Sequence, residues 1–277
     1  MEKIKLLAIQ MESAIGDTEL NIETVKNLLK ANLEKYGKVD FVFLPELWTV
    51  GWDCPSFPAS AETLGNSKAI EMLQEIAKEY GVNIAGGSFV EKQGEKLYNT
   101  CPVINRNGEV VCTYNKNHLY SYNGDTENQY ITVGKNPVMV ELDGVKLGLT
   151  ICYDIRFPEI YRAYRLAGAD ILVNMAAWPK SRKIHWDTLT RARAIENQTY
   201  MVALTQTGLL ADGVENLGHS LIYDYEGKIL DEIEEIEGGV YAEIDLNKMY
   251  DFRKNTPSIN DIKNSYEVIK KWKNYWL

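Results

Sequence analysis

The chain has 277 residues, 45% of them hydrophobic and 25% charged, and a formal net charge of −9. That is the make-up of a globular protein large enough to bury a substantial core, and the length is compatible with one domain. A net acidic charge argues against a nucleic-acid partner, which requires a basic face, and no apolar run approaches the roughly 18 residues of a membrane span.

The opening "MEKIKLLAIQM" goes straight into strand-like alternation over residues 4–11 and carries no signal-peptide cleavage pattern. The cytoplasm is the expected compartment. Residues 21–37 read as an amphipathic helix with Val25, Leu28, Leu29 and Leu33 on one face and Gly37 as its stop. "DFVFLPEL" (40–47) is nearly continuous in apolar residues, as expected of a strand buried on both faces. A second helix over 67–81 stops at Gly81, and a strand covers 82–91. From 88 to 151 the pattern changes to β-hairpins, whose turns are marked by "KQGEK", "NRNGE" and "LDGVK".

After Cys152 the strand–helix alternation returns. A helix is expected near 158–167, a strand over 170–178, a helix over 183–199 and strands at 200–206, 219–224 and 240–244. The acidic run "LDEIEEIEGG" (230–239) reads as a solvated hairpin or loop, and a tail begins near 246. Helices at both ends of a chain with much sheet between them favour a layered α/β architecture. Periodicity alone does not separate one mixed sheet from two sheets packed face to face.

The four cysteines, at 54, 101, 112 and 152, have neither Cys-x-x-Cys nor zinc-finger spacing, so no structural metal is expected. Cys152 stands apart because the alternating strand 145–151 delivers it at its tip, just before Pro158 opens a helix. A helix N-terminus, a cation or a base nearby would make such a thiol nucleophilic, whereas on position alone it is a buried inert thiol. Glu46 ends the apolar run "FVFLPELW". A carboxylate there must either be paired or have a raised pKa suited to proton transfer. Lys116 sits where the hairpin strand 109–115 stops, beside Tyr114, His118 and Tyr120. Solvated lysines are ordinary at strand ends, but these neighbours point to a lined pocket. Three strand ends therefore offer a thiol, a carboxylate and an ammonium, and active sites of α/β sheets gather at the carboxyl ends of strands.

"FLPELW", "YNKNHL" and "LTICYDIRFPE" resemble, in order, the three sequence blocks of the nitrilase, or carbon–nitrogen hydrolase, superfamily. A fourth stretch, "AAWPKSRKIHWDTLTRARAIENQTY" (176–200), is similar to the segment after the nucleophile in the amidase branch. "LPELWTVGWD" with "AAWP" and "HWDTLTRARAIENQ" is most similar to omega-amidases, which act on the terminal amide of short 2-oxo dicarboxylic monoamides. The resemblance covers roughly residues 4–245, giving a domain at 1–245 and a C-terminal extension at 246–277 that packs on the domain or on a partner subunit.

The resemblance implies an α-β-β-α sandwich that commonly pairs into an eight-layered dimer. It makes Cys152 the nucleophile, Glu46 the general base and Lys116 the oxyanion stabiliser. Glu127 matches a second glutamate of many members, although Asp125 and Glu141 are nearby in sequence. Tyr153, through its backbone N–H, is expected to join Lys116 in holding the oxyanion. The chemistry implied is hydrolysis of a small carboxylate-bearing amide through a thioester, with no metal or cofactor. Arg156 is the candidate clamp for the carboxylate, against a structural pair with Asp154 or Glu159. Trp178 is either a pocket wall or core packing. His118 is read as structural rather than as half of a Cys–His dyad. Rival readings are nitrile or N-carbamoyl amine hydrolysis on the same residues, and a non-catalytic binding protein on the same fold.

Overall fold

The computed structural model describes residues 3–121 and 126–263. Strand β1 (Ile4–Gln10) leads to helix α1 (Thr18–Tyr36), which starts earlier than its apolar stripe because the Asp17 side chain accepts from Leu20 N and caps it. Strand β2 is only Phe41–Phe43, shorter than the expected 40–47. Pro45 has no N–H to offer a sheet, and Leu47 adopts a left-handed backbone with φ 47°. The chain turns out of the sheet just where Glu46 sits. Short helix α2 (Phe57–Ser60) precedes α3 (Lys68–Tyr80), which is capped by Ser67 at its start and by left-handed Gly81 at its end.

The expected strand 82–91 is two strands, β3 (Asn83–Ala85) and β4 (Phe89–Gln93), broken at Gly86–Gly87. The three predicted hairpins are present: β4 with β5 (Lys96–Ile104), β5 with β6 (Val110–Asn115), and β7 (Met139–Leu142) with β8 (Val145–Ile151). A single-turn helix α4 (Glu127–Tyr130) lies between the last two of these hairpins. Helix α5 (Pro158–Leu166), β9 (Ile171–Met175), α6 (Lys183–Asn197) and β10 (Tyr200–Leu204) follow, then β11 (His219–Tyr223), β12 (Ile229–Glu234) and β13 (Gly238–Ile244). The acidic run thus supplies the outer arm of a β11–β12 hairpin, with Ile229 and Ile233 half-buried and the residues between them mostly outward. The predicted tail begins as a further helix, α7 (Leu246–Asn255), whose Tyr250 donates to Asp170 and whose Arg253 donates to Ala169 O and Gln198 O. Residues 264–277 of that tail lie outside the described residues.

Two mixed sheets result. One runs β13-β1-β2-β3-β5-β4, with β6 on the other edge of β5; the second runs β12-β11-β10-β9-β8-β7. Alternation along β1 and β2 sends Leu6, Ala8, Phe41 and Phe43 inward, where they meet Leu147, Leu149, Ile151 and Val173 of the other sheet in one core. The opposite face, through Leu7, Ile9, Val42 and Ile84, packs on Val25, Leu29 and Leu33 of α1 and on Ile70, Leu73 and Ile76 of α3. Helices α5 and α6 cover the second sheet with Ile160, Tyr161, Tyr164, Trp186 and Ala194. The layers are therefore α-β-β-α. Each fully buried Leu, Ile or Phe adds about 1.5–3 kcal/mol, so the inter-sheet core dominates the favourable side of folding. The strands that are parallel to their neighbours, β1–β3 and β8–β10, form the centres of the two sheets. Among the described residues no helix is long and apolar enough to cross a membrane.

Candidate active site

Glu46 stands one turn beyond the C-terminal end of β2 with no exposed surface. Its backbone is pinned by its neighbours: Leu47 N donates to Ser88 Oγ at 2.9 Å, and Gln206 Nε2 donates to the Glu46 carbonyl. A buried carboxylate needs every lone pair satisfied. Its Oε1 accepts from Lys116 Nζ at 2.8 Å and from Asn99 Nδ2 at 2.9 Å, and its Oε2 accepts from Ala177 N at 2.9 Å.

Cys152 follows β8 directly and bends the chain, with φ 46°, into a tight turn over Cys152–Arg156. A left-handed backbone is uncommon for a residue with a Cβ and persists only where the surroundings hold it. Asp154 does much of that holding. Fully buried, it accepts from Ile151 N (2.9 Å), Tyr114 OH (2.6 Å) and His118 N (2.9 Å), and lies 2.7 Å from His118 Nδ1. The same carboxylate therefore ties the Cys152 turn to the strand end that carries Lys116. The Cys152 thiol donates to Ala177 O at 3.7 Å and is close enough to Glu46 to feel its charge. One residue, Ala177 after β9, thus brackets both groups, its N–H on the carboxylate and its carbonyl on the thiol.

Lys116 extends β6 by one residue, and its N–H donates to Asn99 O of the neighbouring strand. Its ammonium also lies 3.0 Å from both oxygens of Glu127, which additionally accepts from Tyr120 N at 2.7 Å. Glu127 reaches this position from α4, whose downstream segment returns alongside β6 through Gly134 N donating to Lys116 O. A Cβ on Gly134 would stand 2.1 Å from Asn115 O, so only glycine allows that approach. Of the other acids weighed for this role, Glu141 is exposed on β7, and Asp125 lies outside the described residues.

Burial sets the electrostatics. It pushes the Cys152 thiol well above its ordinary value, Glu46 adds to the rise, and Lys116 opposes it. Burial works against the Lys116 charge, but Glu127 and Glu46 more than offset it and hold the ammonium well above the usual range. Burial raises Glu127 as well, against the pull of Lys116. These directions leave the sulfur protonated and the lysine charged at rest.

Only the thiol opens outward. Cys152 keeps 7% of its surface and forms the floor of a cavity of about 210 Å³. Tyr153, Arg156 and Trp178, the three residues predicted to hold substrate, all line it, as do Trp52, Arg182 and Asp212. Trp178 serves both predicted roles: it faces the cavity and packs on Trp186 with centroids 5.3 Å apart. Arg156 spreads over the Trp178 ring at 5.0 Å and meets His185 Nδ1 at 3.3 Å. Among the described residues it has no carboxylate partner, so neither structural pair, with Asp154 or with Glu159, is made. His118 stacks on Phe157 at 3.7 Å and spends Nδ1 on Asp154.

The model of the carbon-nitrogen hydrolase family matches residues 5–254. The chain belongs to that family. It is 40% identical over 262 residues to a 2-oxoglutaramate amidase of Bacillus subtilis, covering 94% of this chain and 98% of that one. It is 33% identical over 259 residues to a chloroplastic omega-amidase of Arabidopsis thaliana, covering 88% of this chain and 69% of the other. A carbon-nitrogen hydrolase superfamily protein from Xanthomonas campestris superposes with a TM-score of 0.88 at 26% identity, over 97% of this chain and 100% of that one.

Sequence reasoning missed Asn99, Ala177 and Arg182 in this hydrolase. Asn99 had a signal, since asparagine is depleted within strands and this one sits mid-β5. Ala177 acts through its peptide group, which no residue type advertises.

Proposed function

We propose that this carbon-nitrogen hydrolase cleaves the amide of a small carboxylate-bearing substrate, such as 2-oxoglutaramate, to the acid and ammonia through a thioester on Cys152. The observation that carries the reading is residue Ala177, which brings thiol and carboxylate together at the floor of a cavity walled by the Arg156 guanidinium, which has no carboxylate partner among the described residues. The names of the Bacillus and Arabidopsis relatives support the substrate class.

In this scheme Glu46 takes the proton from Cys152 as sulfur attacks the amide carbon. Lys116 and the Tyr153 N–H hold the developing oxyanion, each such donor being worth about 3–4 kcal/mol. Glu46 then returns the proton to the departing nitrogen, and ammonia leaves. A water enters, Glu46 removes its proton, and the thioester is hydrolysed. Glu127 keeps Lys116 in place and balances its charge. Arg156 orients the substrate carboxylate, with Tyr153 and Trp178 as the walls of its site.

The same reading takes the protein as cytoplasmic and as a homo-oligomer of this chain. Support for the second comes from Leu166 on α5 and Ile184 and Ile195 on α6, large apolar side chains exposed by 60%, 73% and 49%. It retains a hydrolase domain at 1–245 and an extension at 246–277. Ammonia release from 2-oxoglutaramate, glutamine, a simple nitrile and an N-carbamoyl amino acid tests the function. Turnover of the first above the other three, lost in Cys152→Ala, is the expected result; preference for the nitrile or the carbamoyl compound would overturn it.

A further inference from the structure

Asn99 is a neutral side chain that touches both buried glutamates. Its Nδ2 donates to Glu46 Oε1 at 2.9 Å and to Glu127 Oε1 at 3.4 Å, from the middle of β5 and with no exposed surface. Its Oδ1, equally buried, has no hydrogen-bond partner among the described residues. Leaving a buried acceptor unsatisfied is unfavourable, and turning the amide over would only press that oxygen against two carboxylates. The donor end is thus the part the site uses. Its backbone oxygen also accepts from Lys116 N at 2.9 Å, so the amide, the ammonium and both acids are fixed relative to one strand.

Two carboxylates that share a site tend to share a proton, which raises one of them steeply. A carboxylate already holding that proton cannot accept another from Cys152. Among the described residues, the ionisable groups that face the pair are Lys116 from β6 and Cys152 from the turn after β8. Ala177 N and Tyr120 N complete the shell, one donor to each carboxylate. Lys116 cannot do more without being drawn towards one acid. A non-titrating N–H shared between them lowers the proton affinity of both and adds no charge.

We propose that Asn99 is a positioning residue that keeps Glu46 free of a proton shared with Glu127, and so available to Cys152. This rests on the reading of Glu46 as proton acceptor. It differs from a packing role because its effect is on the pH at which the enzyme switches on.

The test is the pH profile of kcat/KM for Asn99→Leu and Asn99→Asp beside the wild type, with the rate of Cys152 alkylation by iodoacetamide as a readout that needs no turnover. In Asn99→Leu the acidic limb moves up by about one pH unit, so activity near that limb falls about tenfold and returns as pH rises. In Asn99→Asp, which keeps the volume but adds a third carboxylate, it moves up further. The alkylation profile shifts in the same order. If Asn99→Leu does not fold, the Asp variant alone decides. A folded variant whose activity drops uniformly, with the limb unmoved, would reduce Asn99 to a packing residue. Wild-type protein with no Cys152-dependent ammonia release would instead overturn the function itself.

Discussion

Lys116 Nζ donates to Glu46 Oε1 at 2.8 Å, and neither side chain reaches solvent. An ion pair so placed is costly to break from one side only, because the surviving charge is left in the core. Removing the ammonium strands not one carboxylate but two, since Glu127 depends on the same cation.

Lys116→Met is therefore expected to destabilise the fold by about 3–5 kcal/mol and to lower kcat/KM by at least about 10²–10³-fold through the lost oxyanion donor. Cys152→Ala removes turnover as completely but takes away no charge, so its urea midpoint stays close to the wild type. Equal midpoints for the two variants would mean that the ammonium is not the counter-charge of this core.

The four thiols differ in environment, and their labelling should differ too. Burial raises Cys101 well above its ordinary value and pushes Cys112 up to about 11, and among the described residues no carboxylate contributes to either shift. Cys152 is raised as well, but it has Glu46 beside it and a cavity in front of it. At pH 7 iodoacetamide should modify Cys152 first, and Glu46→Gln should slow that reaction about tenfold or more while leaving Cys112 unaffected. Peptide mapping of a time course reads both outcomes. Preferential modification of Cys112 in the wild type would count against an activated Cys152.

Arg156 stands at the cavity wall with no carboxylate partner among the described residues, and its buried Nε makes no hydrogen bond. A guanidinium kept unpaired beside two aromatic rings suits a substrate acid group. Arg156→Ala should raise KM for an acidic amide by about 10²-fold, the loss of one charged hydrogen-bonding partner, and change KM for a neutral amide of similar size little. An equal rise for both substrates would leave Arg156 as a wall residue and no clamp.

His118 gives Nδ1 to Asp154 and its ring face to Phe157, and so braces the turn that carries Cys152. His118→Ala should reduce kcat by about tenfold or less and keep the shape of the pH–rate profile, because the imidazole carries no proton of the reaction. A lost or displaced limb near pH 6–7, the range of an ordinary histidine, would restore the Cys–His alternative.

Much of this was legible in the sequence, for a physical reason. Helices α1 and α3 announce themselves through apolar spacing and a glycine stop, and the three hairpins through their turn residues, because those signals are local. The ends of strands were less clear. Residues 40–47 are apolar throughout, yet only Phe41–Phe43 pair, since Pro45 has no donor and Leu47 turns left-handed. The candidate positions Glu46, Lys116 and Cys152 are legible from strand ends, chain order and a family likeness. The Ala177 peptide and the Asn99 amide are not, because their roles exist only once β5, β6 and β9 are side by side. Tyr130 and Gly134, which follow it, favour Glu127 over Glu141 in the sequence, and the bond of Glu127 to Lys116 distinguishes the two directly.

The break between β3 and β4 is where the placing of Glu46 by close backbone contact can be tested. Gly87 has φ +66°, and a Cβ there would stand 2.2 Å from the carbonyl oxygen of Pro45, the residue before Glu46. Gly94, in the β4–β5 turn, has nearly the same φ, +65°, but open space where its Cβ would lie. Gly94→Ala therefore carries the backbone penalty alone, about 1–2 kcal/mol, and should keep full activity. Gly87→Ala carries that penalty and must also push the Pro45 peptide away, taking Glu46 with it. Its stability loss should exceed that of Gly94→Ala by about 1–3 kcal/mol, with kcat/KM down about 10²-fold, the scale of an ångström-sized misplacement. Denaturation midpoints and ammonia-release kinetics on the matched pair measure this directly. Equal losses of stability with activity intact in both would show that the Gly87 approach does not hold the glutamate in register with Cys152.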